Sequence, residues 1–133
     1  MALHLEIVKQ EKILEIIVTG TYNLDEANLK ISEVFSASRE TGCSLILLNV
    51  IGLETRLPHE EEVIFAFSVQ NGYNEHLSRG GQKLKMAFLE SEIHEVEFSS
   101  GLKVAQDENV PVNAFYNRDK AMAWLGRDAN SKN

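Results

Sequence analysis

The run Ser44-Leu45-Ile46-Leu47-Leu48-Asn49-Val50-Ile51 constrains this chain more than any other feature. Only Ser44 and Asn49 interrupt its apolar character, and Gly42 and Gly52 bound it. It is too short for a buried helix and shows no polar–apolar alternation. Such a segment is a strand covered on both faces, which places it at the centre of a layered α/β structure.

The flanking sequence supplies the layers. Leu3, Leu5 and Ile7 alternate with neighbours that include His4 and Glu6, and a second apolar segment runs from Ile13 to Thr19. The link between these strands is so short that they pair as an antiparallel hairpin. Asn23 caps a helix, with Glu26 at the capping-box position. Leu24, Ala27, Ile31, Val34, Phe35 and Ser38 form its apolar stripe, and Gly42 stops it.

A second helix begins with Pro58 as its first residue. Glu60, Glu61 and Glu62 lie in its first turn, at the positive end of the helix dipole. Leu84–Leu89 reads as a fourth strand and Glu92–Glu108 as a third helix, with Gly101 inside it. Val110–Phe115 is a fifth strand. Asn117 caps a last helix that turns Ala121, Trp124 and Leu125 inward. The order ββαβαβαβα predicts one domain over residues 1–126: a five-stranded mixed sheet with four helices, strands three to five parallel. Residues 127–133 form a polar tail, expected to be disordered.

This order, together with Ala121-Met122-Ala123-Trp124-Leu125 behind the closing strand, resembles the SpoIIAA-like family of the STAS superfamily, which includes bacterial anti-sigma-factor antagonists. The resemblance spans about residues 3–126. It implies a regulatory, protein-binding role. The family's antagonists carry an Asp-Ser-Ser/Thr-Gly-like stretch after the third strand, whose serine is phosphorylated and gates binding to an anti-sigma kinase. The matching stretch here is Gly52-Leu53-Glu54-Thr55-Arg56-Leu57-Pro58-His59, without a serine. Thr55 is the only hydroxyl nearby and is the remaining candidate phosphoacceptor. The phospho-switch itself does not carry over. The STAS fold is also similar to lipid-binding CRAL-TRIO domains, which implies a small apolar ligand as the alternative to a protein partner.

Charge and motifs narrow the chemistry. With 13 Lys and Arg against 20 Asp and Glu, the net charge of −7 disfavours nucleic-acid phosphates and anionic membranes. No apolar run approaches the ~18 residues of a membrane span. A single cysteine, Cys43, suits a reducing, cytoplasmic setting and offers neither a disulfide framework nor a cysteine metal cluster. It follows a helix C-terminus, which disfavours a thiolate, so it reads as a small buried thiol. His59 with Glu62, and His94 with Glu97, share helix faces, but zinc needs three or four ligands. His4 and His76 read as ordinary exposed residues. Gly80-Gly81 precedes a strand, the reverse of a phosphate loop. No nucleophile, base, metal or cofactor set assembles, so the chain reads as non-enzymatic.

The second helix stands apart. Ile64, Phe65, Phe67 and Val69 cover too wide an arc to face one sheet. Either the helix is covered on all sides as plain core, or Phe65, Phe67, Val69 and Tyr73 are interface or pocket residues, for a protein partner, a homodimer or a small apolar ligand held between the sheet and the second and third helices.

Overall fold

The computed structural model describes residues 3–10 and 12–126. The polar tail 127–133 lies outside the described residues. The elements are β1 (His4–Gln10), β2 (Ile13–Thr19), α1 (Leu24–Thr41), β3 (Leu45–Asn49), α2 (His59–Ser78), β4 (Lys85–Leu89), α3 (Glu92–Asp107), β5 (Val112–Phe115) and α4 (Arg118–Gly126). The order is the expected one. The five strands form one sheet in chain order, β1-β2-β3-β4-β5. β1 pairs antiparallel with β2, and every later pair is parallel, so the parallel set also includes β2.

The helix caps follow their local chemistry. Asn23 Oδ1 accepts from Glu26 N at 2.9 Å, and Gly42 ends α1 in the left-handed region at φ 73°. Asn117 Oδ1 accepts from Lys120 N at 3.0 Å at the start of α4. Pro58 precedes α2 as its cap instead of being its first residue.

The sheet separates two unequal cores. Leu14, Ile16, Ile46, Leu48, Met86 and Phe88 face α1, α2 and α3. On the other face, Leu47, Ala87 and Leu89 pack under Ala121 and Leu125 of α4. β3 thus sends buried side chains to both cores, which is why its sequence shows no alternation. Trp124 is only part-buried. Its ring packs on Phe115 at 5.8 Å between centroids, with Lys85 Nζ 4.9 Å above it. The short helix α4 covers β3, β4 and β5. At its first residue, Arg118 reaches back to Glu15 of β2 with bonds of 3.1 and 2.6 Å. Cys43 is buried.

Candidate functional site

In a parallel sheet, the loops that follow the strands gather at the carboxyl edge, where α/β proteins place their sites. Here three such segments are stitched together. The β3–α2 loop bonds to the β2–α1 loop through Glu54 N to Gly20 O at 2.9 Å. Thr55 continues the seam. Its Oγ1 accepts from Tyr22 N at 2.9 Å and donates to Tyr22 O at 3.2 Å. The hydroxyl is exposed at the surface but committed to backbone on both sides.

Arg56 braces the loop and ties it to β4. Its Nη1 donates to Leu53 O at 2.8 Å and to Thr55 O at 3.2 Å. Its Nη2 donates to Glu90 Oε1 at 2.8 Å. Glu90 follows β4 directly and is 1% exposed, and the same oxygen accepts from Ser91 N at 2.9 Å. A buried carboxylate is tolerable only with such partners.

A second carboxylate closes the cluster without them. Glu62, on the first turn of α2, is 5% exposed, and its Oε1 has no hydrogen-bond partner among the described residues. Arg56 Nε and Ser91 Oγ, both buried, are likewise without partners there. Burial pushes the Glu62 carboxyl up to about 7, with the charges of Glu97 and Glu90 adding to the rise and Arg56 opposing it. Burial, then Glu62 and Glu90, also push the neighbouring Tyr22 phenol far above its ordinary range. α3 lies tight against Glu62, since a β-carbon built on Gly101 would sit 3.0 Å from Glu62 Cβ. Gly101, inside α3, is the contact that lets the two helices close.

The residues singled out on α2 do not act as a set. Phe65, Val69 and Tyr73 are buried within the chain, so for these three the plain-core alternative replaces the interface reading. Phe65 packs edge-on to Phe88 at 6.3 Å, and Tyr73 lies against Phe35 at 6.4 Å. Phe67 faces outward at 50% exposure, as does its helix neighbour Ile64. The wide apolar arc is therefore a core stripe with two exposed residues behind it. Ile93 and Val96 of α3 are still more open, at 86% and 74%.

His76 is a second correction. It is 1% exposed, with Nε2 2.8 Å from Gln82 O and Nδ1 3.2 Å from Arg39. His59 is exposed while Glu62 is buried, so they do not converge. Among the described residues, no three His, Cys, Asp or Glu gather to hold a metal ion. The cavity between the sheet, α1 and α2, lined by Leu5, Val18, Tyr22, Ile31, Leu48 and Phe65, has a volume of about 40 Å³. A drug-sized or lipid-like ligand needs several hundred Å³, which this cavity lacks; an open groove of about 600 Å³ lies instead at the amino ends of β3 and β4, lined by Leu45, Tyr73, Leu84, Lys85 and Leu125. No helix among the described residues is long and apolar enough to cross a membrane.

Solved structures share this architecture. An anti-sigma factor antagonist from Mycobacterium paratuberculosis superimposes with a TM-score of 0.58 at 9% identity, covering 96% of each chain. The chain has the SpoIIAA-like fold. The NMR structure of the protein TM1081 gives a TM-score of 0.57 at 16% identity, over 92% of this chain and 88% of that one. An uncharacterised DUF3478-family protein with a SpoIIAA-like fold from Shewanella loihica gives 0.50 at 15% identity, over 93% of each. No protein-family model matches the chain, and no curated protein matches its sequence. The shared SpoIIAA-like fold bears out the architecture that the strand and helix order implied.

Proposed function

We propose that this chain is a non-catalytic regulatory domain that works by binding another protein. It docks through the outward sides of α2 and α3, beside the β3–α2 loop. The carrying observation is the exposure of Ile93 and Val96 on the first turns of α3, next to a helix that exposes Ile64 and Phe67. Exposed apolar side chains on adjoining elements mark protein contact surfaces. Glu60, Glu61, Glu92 and Glu97 are exposed or part-exposed on the same turns, so the matching partner face is apolar with a basic rim. That an anti-sigma factor antagonist has this fold supports a regulatory reading. The exclusion of solvent from Glu62 Oε1 supports a non-catalytic one, because a general base must reach its substrate. A second copy of the chain, meeting at Phe67, is the finer form of the same proposal.

The test is a pair of aspartate substitutions, Ile93→Asp and Val96→Asp. Both sites are surface positions, so thermal stability changes by less than ~0.5 kcal/mol. The variant loses the partner that cross-links to wild type in cells, or loses self-association in sedimentation runs at rising concentration. An unchanged cross-link pattern together with a monomeric wild type overturns the proposal.

A further inference from the structure

At the carboxyl edge of the sheet, two buried carboxylates, Glu62 and Glu90, feel the charge of one guanidinium, which bonds only Glu90. Arg56 gives Nη2 to Glu90 and Nη1 to the carbonyls of its own loop, and its Nε stays without an acceptor among the described residues. Glu62 Oε1 stays without a donor. Counting formal charges, the pair of carboxylates exceeds Arg56 by one negative charge, with both carboxylates buried and the Arg56 side chain 17% exposed. The other groups facing Glu62 do not relieve this. Glu97 of α3 adds negative charge, and the Tyr22 phenol from the β2–α1 loop is neutral. A largely buried site with surplus negative charge binds a proton or rearranges.

We propose that the β3–α2 loop is held by a proton-operated latch, closed when Glu62 carries a proton and released when Glu62 ionises and competes with Glu90 for Arg56. On release the Glu62 O–H bond breaks and its proton passes to bulk water. The carboxylate then takes the unpartnered Arg56 Nε. This pulls the guanidinium off the Leu53 and Thr55 carbonyls that give the loop its shape. The loop's other polar ties, Glu54 N to Gly20 O, Thr21 Oγ1 to Glu54 and the Thr55–Tyr22 pair, are individually weak, while the buried side chains of Leu53 and Leu57 keep the loop on the core, so release loosens its backbone without detaching it. The inference does not depend on what the outer face of α2 and α3 binds.

Amide hydrogen exchange on the full chain tests it, with protection factors for residues 50–58 corrected for the intrinsic pH dependence. The opening constant rises by about tenfold per pH unit from near pH 5 and levels off near pH 7, as linkage to a carboxyl bound more tightly in the closed state requires. Glu62→Gln, uncharged and of the same shape, stays protected across that range. Should that variant fail to fold, Glu97→Gln serves in its place. Removing one repelling charge moves the plateau to lower pH, and the carboxyl carbon shift of Glu62 in wild type follows the same midpoint. Protection that is flat with pH in wild type overturns the latch. So does a pH response that persists unchanged in Glu62→Gln, or a Glu62 midpoint within the ordinary carboxylate range.

Discussion

Glu15 and Glu62 are equally hidden, each 5% exposed, yet they lie in opposite electrostatic states. Glu15 sits on the face of β2 towards α4 and receives both nitrogens of Arg118, one to each oxygen. Glu62 sits on the α2–α3 side with one oxygen unmatched and two further carboxylates nearby. The first is a structural clasp that joins the start of the last helix to the second strand. The second is a site whose charge depends on pH. Burial alone does not decide what a carboxylate does; the geometry of its donors does.

Removing the donor from the matched site should have the largest effect. Arg118→Ala leaves Glu15 buried without its counter-charge and lowers stability by roughly 2–4 kcal/mol. The lower half of that range is expected, because the Arg118 side chain is 47% exposed and water can enter. Urea denaturation measures it. Adding Glu15→Gln to the variant recovers part of the loss, and no recovery would show that Arg118 acts through packing alone.

Neutralising the unmatched site should act in the opposite direction, and only at higher pH. The folded-state Glu62 carboxyl lies above its unfolded value of 4.5, so the folded chain binds more protons between that value and about 7. Stability therefore falls as pH rises through this window. Glu62→Gln removes the fall. It matches wild type near pH 4.5 and exceeds it at pH 8 by on the order of 1–2 kcal/mol after allowance for solvent screening. Thermal melts across pH decide this, and equal differences at both ends would refute it.

The smallest effect is expected at the exposed seam between Thr55 and Tyr22. Thr55→Ala removes the two bonds to Tyr22 in an exposed seam and lowers stability by only ~0.5–1.5 kcal/mol. The same exchange experiment shows the loss as faster exchange at the Tyr22 amide.

The architecture was legible because punctuation and periodicity agreed. Asn23, Gly42 and Asn117 act where their chemistry places them, and the apolar run of β3 is buried on both faces as its composition demands. The site was not legible, because Tyr22, Arg56 with Glu62, and Glu90 come from three separate segments and meet only through the sheet order. One signal was nonetheless present. Glu62 precedes Phe65, Ala66 and Val69 by three, four and seven residues, which puts it on the buried stripe of α2 and not with Glu60 on the outer face. Three consecutive glutamates look alike to the helix dipole, but the helix phase separates them. His76 follows the same rule, three residues after Tyr73 and seven after Val69. The breadth of the α2 arc has a similar explanation. Ile64 and Phe67 belong to the surface, and without them the stripe is of ordinary width.

The sheet is built strictly in chain order, each strand lying beside its immediate predecessor. No strand must be threaded between two that are already paired, and no loop closes over a partner still to be synthesised. Strand pairing can therefore advance one neighbour at a time as the chain leaves the ribosome, first as a hairpin and then with each parallel step closing only the span of one intervening helix. The Arg118–Glu15 clasp is the exception. It joins residues 103 apart and can form only when the last helix arrives, so it marks completion of the fold.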